Sequence, residues 1–373
     1  MTISQRLPAS LTPLDEALAA LLARVQPAAP VALPLAEALG CVAAEMPPSR
    51  AYPLRDIAAG DGFAFQSQDL VGVSSYSPLP LTRLPVWVEA GDPMPDQCDC
   101  VVDADLVDQT GPIPQVLADA TPGQGVRRIG GDIAADCSAV VAGTRIGPLD
   151  LLIARAAGLD RLSVRRPRLR VVNVPAASGD ALTAALISES ARAAGASVIR
   201  IEANGRDAAA IAGALDPGGC DLLITIGGSG IGRTDTAIMA LAGRGEVIAH
   251  GIALQPGRTS AVGQIEGIPV IALPGAPDQA LAAWWTLVLP VLDRLSGRQP
   301  RRKLTLPLAR KIASSVGIAE IVLLDKAEGA WLPLAVGDIA LQTVARADAW
   351  LVVSGGNEGF AAGTSVDAYI LRD

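Results

Sequence analysis

Residues 221–235 read DLLITIGGSGIGRTD, an apolar run that empties into four glycines within six positions and ends on Asp235. The run from 221 to 226 carries the apolar and β-branched content of a strand covered on both faces. Outward from it the same rhythm repeats. Toward the amino terminus the pattern predicts a strand over 169–174, a helix over 182–194, a strand over 196–201 and a helix over 206–215. Beyond the glycines it predicts a strand over 269–273 and a long apolar helix over 278–295. Alternation of this kind implies right-handed crossovers and a parallel sheet with helices on both faces, a three-layer α/β/α domain over 166–298.

The flanking regions differ in texture. Thr12-Pro13 fits the cap and first turn of a helix with Leu14, Leu18, Leu21, Leu22 and Val25 at helical spacing and Asp15 and Glu16 in its first turn. A second short helix is expected over 35–39 and a third over 148–159. Between them, short apolar runs such as WVEA and DCVVDADLV are broken by Gly, Pro and Asp, which predicts small sheets. The expected layout is a discontinuous helical domain, 1–47 plus 146–165, interrupted by a β-rich insertion over 48–145. After the basic linker around Arg301-Arg302-Lys303, read as a solvated boundary, the runs LTLPLA, EIVLL, AWLVV and VDAYIL predict a small β barrel over 304–373.

Composition narrows the function classes. A formal net charge of -8 argues against a nucleic-acid surface and leaves small molecules or proteins as partners. The five cysteines, at 41, 98, 100, 137 and 220, form no disulfide framework or zinc spacing and are read as reduced thiols. A single histidine disfavours a histidine-rich metal centre. The amino-terminal text MTISQRLPASLTPLDEAL lacks the apolar core of a secretory signal, and no 18-residue apolar stretch follows, so the expectation is a cytoplasmic protein without membrane contact.

The chemistry is expected at the carboxyl ends of the central strands, where loops expose backbone N–H groups. Gly227, Gly228, Gly230 and Gly232 permit close approach by an anion, with Ser229 or Thr234 as hydroxyl donors. The same residues also fit a turn set by packing alone, with Thr234 and Asp235 as an ordinary helix cap. No lysine follows in a Walker-type arrangement. Ser178-Gly179-Asp180 follows the first central strand, and Asp61 opens a second acidic turn. Asp180 and Asp235 are the candidate carboxylates for a magnesium-assisted site on a phosphate ligand. Arg258 and Ser260 follow Pro256-Gly257 and present a possible oxyanion fork, Pro274-Gly275 forms a further turn, and His250 either donates to a ligand or pairs with backbone.

The order of these motifs resembles the molybdopterin molybdenumtransferase family of molybdenum-cofactor biosynthesis, the MoeA or gephyrin E-domain family. The similarity runs through LTPLDEALAALL, DGFA, GDPMPDQCDCVV, VRRIGGDIAAD, RRPRLRVV, SGDAL, GGSGIGRTD, HGIALQPGRTSAVG, IPVIALPGAP and GFAAGTSVDAYIL. The resemblance implies an elongated homodimer whose central domain binds molybdopterin. It also implies adenylylated molybdopterin and molybdate as substrates, Mg²⁺ as cofactor, and AMP as product. Asp61 falls on the family's DGYA aspartate and would reach the cleft of a second subunit, Asp180 on the acid of its TGDEL element, and Asp235 on the acid closing its glycine loop.

The chain departs from the family pattern at Ala181, where a glutamate is usual, at Gln255 and Arg258, which replace two lysines, and at Ala276, which replaces an asparagine. The expected activity is insertion of molybdate into adenylylated molybdopterin. The alternative is a non-catalytic molybdopterin-binding or delivery protein, with a molybdopterin adenylyltransferase or a recipient molybdoenzyme as a further partner.

Overall fold

The computed structural model describes residues 5–46, 49–176 and 179–372. Its centre is a six-stranded sheet in the order Ser197–Glu202, Arg168–Asn173, Leu222–Ile226, Ile268–Leu273, Ala261–Ile265 and Glu246–His250. The first four strands are parallel, and Leu222–Ile226 lies inside them with every residue buried. Its period-2 alternation sorts the side chains by face. Leu222, Ile224 and Ile226 join the helices Leu182–Ala193 and Pro277–Ala283 in one core. Leu223 faces the helices Ala208–Ala214 and Ala237–Arg244 in another. The expected three layers are present.

The sheet is not wholly parallel. Ala261–Ile265 and Ile268–Leu273 form an antiparallel hairpin, and Glu246–His250 adds an antiparallel edge. The hairpin turns on Glu266 and Gly267, with φ of 50° and 83°. Positive φ at both central residues is the geometry that two-residue hairpins need, and Glu-Gly supplies it less conspicuously than Asn-Gly. The long helix expected over 278–295 is three pieces: Pro277–Ala283, a π-helical stretch Trp284–Val288, and Leu289–Ser296. Pro290 sits in the first turn of the last piece, where its missing N–H breaks the regular ladder.

Thr12-Pro13 does not cap the first helix. It forms a short strand parallel to Ile252–Gln255, and the helix Leu14–Leu22 that follows has no side-chain cap. Ala17, Leu21 and Val25 pack into the core of the central sheet. Of the amino-terminal helices of the expected helical domain, this first one packs on the central sheet, and the second packs with 148–156. The helix Pro148–Ala156 shares a core with Leu35, Ala38, Cys41, Ile146, Leu162 and Val164, drawn from either side of the inserted region. Within that region the small sheets are real: Gly62–Phe65 pairs with Val86–Val88 and with Cys100–Val102.

The carboxyl-terminal strands do not close into the expected small barrel. Their hydrogen-bonded path runs Thr12–Pro13, Ile252–Gln255, Ala319–Ala327, Ala349–Val353, Ser365–Ile370, Lys303–Pro307, with Ala330–Val336 branching from Ala319–Ala327. The first two strands of this open path come from earlier in the chain. Trp285, Trp350 and Tyr369 stack across this junction with ring centroids 5.1 and 4.8 Å apart.

All five cysteines are free thiols, and burial pushes the Cys100 thiol up to about 11. Among the described residues no helix is long and apolar enough to cross a membrane.

Candidate functional site

The glycine loop leaves the carboxyl end of Leu222–Ile226 in left-handed backbone, with φ of 87° at Gly227 and 69° at Gly228. An L side chain at either position is strained, so the turn requires glycine there. At Gly230 and Gly232 the constraint is a single neighbouring side chain rather than backbone strain. A Cβ at 230 would stand 2.6 Å from Asp235 Oδ2, and one at 232 would stand 2.9 Å from it. The loop therefore curls around the Asp235 carboxylate. Asp235 Oδ2 accepts from the Gly232 N–H at 2.9 Å while the Asp235 N–H donates to the Gly232 carbonyl at 3.0 Å, a closed ring.

Three outside contacts fix the loop's carbonyls. Gln5 donates from Nε2 to the carbonyls of Gly230, at 2.6 Å, and Gly228, at 3.3 Å. Its Oε1 accepts the Ile238 N–H at 3.0 Å, satisfying one of the open donors in the first turn of Ala237–Arg244. His250 Nε2 lies 3.0 Å from the Ser229 carbonyl. Burial lowers the His250 pKa, opposed by that carbonyl, so the ring is neutral at pH 7 and donates. His250 thus takes the backbone-pairing role. With the carbonyls engaged, the N–H groups of Gly228, Ser229 and Gly230 have no acceptor among the described residues. Ser229 is fully buried, and its Oγ has no partner either.

These groups line a cavity of about 540 Å³, within the range of small-molecule sites. Asp180, Asp235, Gly227, Gly228, Ser229, Gly230, Pro274 and Gly275 all border it. The Gly275 carbonyl accepts from Thr183 Oγ1 at 2.6 Å, which ties the Pro-Gly turn to the helix Leu182–Ala193. Gly179 has a left-handed φ of 72° beside Asp180, while Ser178 lies outside the described residues.

Other expected site residues stand elsewhere. Ser260 does not border the cavity: it is fully buried, with its hydroxyl on the Gly257 carbonyl at 2.7 Å. Its neighbour Thr259 borders the cavity instead, and the exposed Arg258 is not among the lining residues. Gly232 and Thr234 are exposed at the outer end of the loop, and the helix receives no cap from Thr234 or Asp235. Asp61 lies in the inserted region, where its carboxylate accepts the Ala90 N–H at 2.8 Å.

A charged lining residue was not anticipated. Arg206 follows the strand Ser197–Glu202 and borders the same cavity. Its guanidinium donates to the Pro175 carbonyl at 2.5 Å and pairs with Asp235 Oδ1 at 3.3 Å. Thr236 Oγ1 holds the Arg206 carbonyl at 2.6 Å. The signal was positional: the loop after Ser197–Glu202 opens on the same sheet edge as the glycine loop.

The resemblance implied magnesium on Asp180 and Asp235. A magnesium ion takes oxygen ligands in strict octahedral geometry. Asp235 has one oxygen on a backbone N–H and the other against a guanidinium. Among the described residues no group of three or more His, Cys, Asp or Glu is placed to hold a metal. As arranged, both oxygens of Asp235 are already engaged, so Asp235 does not present a formed magnesium site, and the geometry adds no support for the ion that the resemblance implied on Asp180 and Asp235.

Comparison with known proteins bears on this geometry. Residues 12–158 match the family model described as MoeA N-terminal region (domain I and II), and residues 177–294 match the probable molybdopterin binding domain. Molybdopterin molybdenumtransferase 2 of Mycobacterium tuberculosis is 30% identical over 309 residues, covering 72% of this chain and 76% of that protein. Molybdopterin molybdenumtransferase 1 of the same organism is 28% identical over 408 residues, covering 92% of this chain and 95% of that protein. The molybdopterin biosynthesis MoeA protein of Pyrococcus horikoshii has the same fold, with a TM-score of 0.76 over 97% of this chain and 100% of that one at 22% identity. The chain belongs to the MoeA family of molybdopterin molybdenumtransferases.

Proposed function

We propose, from that membership, that the cavity binds adenylylated molybdopterin, that its dithiolene sulfurs take molybdenum from molybdate with oxygen leaving as water, and that water cleaves the phosphoanhydride to release AMP. The observation that carries this reading is the set of N–H groups at Gly228, Ser229 and Gly230, without an acceptor among the described residues, at the carboxyl end of a central parallel strand. Backbone donors in a left-handed glycine turn are suited to phosphate oxygens. Gln5 and His250 keep the loop's carbonyls turned to other partners, so the donors stay available. Donors held in place before the ligand arrives stabilise developing charge without reorganisation. Asp180 borders the same cavity as an acceptor for neutral donors of the pterin. In the proposed working unit, a homodimer, Asp61 of a second copy completes the cleft.

A second reading is a non-catalytic molybdopterin-binding or delivery protein. It is favoured by the pairing of Asp235 with Arg206, which takes this acid out of metal coordination, and by the missing polar groups at Ala181 and Ala276 on the cavity wall. The test is to supply purified protein with adenylylated molybdopterin and molybdate and to follow AMP by chromatography. Molybdate-dependent AMP release is expected. Tight pterin binding without AMP release would refute the transferase reading and leave the delivery reading standing.

A further inference from the structure

The cavity has two carboxylates, Asp180 and Asp235, and among the described lining residues Arg206 is its single cation. Arg206 offsets the charge of Asp235, so an anionic ligand meets one uncompensated carboxylate, Asp180, in place of two. Arg206 is not a loose surface charge. Its side chain is one-third exposed, at 33%, and Asp235's is 18% exposed. One end of the guanidinium is held by the Pro175 carbonyl, and the backbone of the same residue is held by Thr236. Nε is buried with no partner. A guanidinium carries five N–H donors in a rigid fork, so two contacts leave donors unspent.

Resting on the molybdopterin reading above, we infer that Arg206 supplies at Asp235 the positive charge that a divalent cation would otherwise bring. The cavity then takes the diphosphate of its ligand without magnesium. Two features point the same way: Asp235 already satisfies a cation at 3.3 Å, and its second oxygen is committed to the loop. The arrangement assigns Arg206 as a ligand-binding residue selecting for a diphosphate-type anion, with Asp235 fixing its orientation.

The experiment uses inorganic pyrophosphate as the probe, titrated calorimetrically into the full-length protein with excess MgCl2 or with EDTA. Wild-type affinity is expected to differ less than about twofold between the two conditions, because the cation is built in. Arg206→Ala should weaken pyrophosphate by about tenfold or more in EDTA, the loss of a charge-assisted contact, and regain most of it in MgCl2. Arg206→Lys should keep magnesium independence at reduced affinity, a rescue that a merely structural role does not give. Where Arg206→Ala does not fold, Arg206→Gln, which keeps a donor for the Pro175 carbonyl, replaces it.

The inference is overturned if wild-type binding collapses in EDTA, if Arg206→Ala binds like wild type in EDTA, or if wild type binds no pyrophosphate in either condition. Pterin fluorescence separates the two levels. Molybdopterin binding by wild type that requires magnesium sinks the role of Arg206 alone. Magnesium-independent pyrophosphate binding without any molybdopterin binding sinks the functional reading and leaves the role of Arg206 intact.

Discussion

Replacing Gln5 by alanine tests the idea that the glycine loop is held ready from outside. Gln5 is 7% exposed and makes three contacts: to the carbonyls of Gly228 and Gly230 and from the N–H of Ile238. Their loss is unequal. The Gly228 carbonyl keeps the Ala237 N–H at 3.0 Å, and the Gly230 carbonyl is close enough to solvent for water to replace the amide. The Ile238 N–H is buried and is left bare, at a cost of about 1–3 kcal/mol. Taking about 2 kcal/mol, exchange of the Ile238 amide with solvent deuterium should speed up about thirtyfold, since about 1.4 kcal/mol is a factor of ten. Ligand affinity should fall with it, as the loop must be ordered on binding. Gln5→Glu divides the effect: it keeps an acceptor for Ile238 but sets a carboxylate against two carbonyl oxygens, so the amide stays protected while ligand affinity falls. Unchanged Ile238 protection in a folded Gln5→Ala protein would refute the argument.

Two further substitutions probe the loop and its neighbour. Gly228→Ala forces an alanine into a φ of 69° and brings its Cβ to 3.3 Å from the Ala237 Cβ, so a loss of about 1–2 kcal/mol is expected in urea melts. Gly230→Ala meets only the end of the Asp235 side chain, so stability should change by less than about 1 kcal/mol while pyrophosphate affinity falls; equal destabilisation by both substitutions contradicts these assignments. The chain's only histidine gives a clean pH dependence. Burial holds the folded His250 pKa below 6.5, so the unfolded chain takes up its proton first as pH falls. Stability from this residue is complete above 6.5 and is lost as pH drops from there toward the lower folded value. His250→Gln should flatten that part of the urea-midpoint curve, and an unaltered slope would contradict the buried, neutral ring.

How much was legible in the sequence follows from what each element buries. Leu222–Ile226 was readable because coverage on both faces leaves a continuous apolar and β-branched run, and Arg168–Asn173 because Leu169, Val171 and Val172 keep the apolar content of a strand around Arg170. The glycine loop was readable because left-handed backbone selects its residues. The hairpin at Glu266-Gly267 was not, since glutamate is an uncommon first residue for such a turn. The open carboxyl-terminal sheet was hidden because its extra strands belong to distant text, and Thr12-Pro13 reads equally well as a helix start. Gln5 and Arg206 act through single side chains across long stretches of chain, and no periodicity marks such a contact. Arg258 and Ser260 were named from the Pro-Gly turn and, for Arg258, from a lysine position of the family; of the residues after that turn it is Thr259 that borders the cavity.

The parallel pairing of Thr12–Pro13 with Ile252–Gln255 also orders events on the ribosome. The first strand to emerge has no sheet to join until residue 252 has followed it, and the next strand outward, Ala319–Ala327, comes later still. Pairing across such separations is slow because the intervening loop must be closed first. Gln5 is therefore made among the first residues but meets the glycine loop only after most of the chain is out. A nascent chain halted between the glycine loop and residue 252 would hold most of the cavity's residues and none of the pairing that seats the amino-terminal segment.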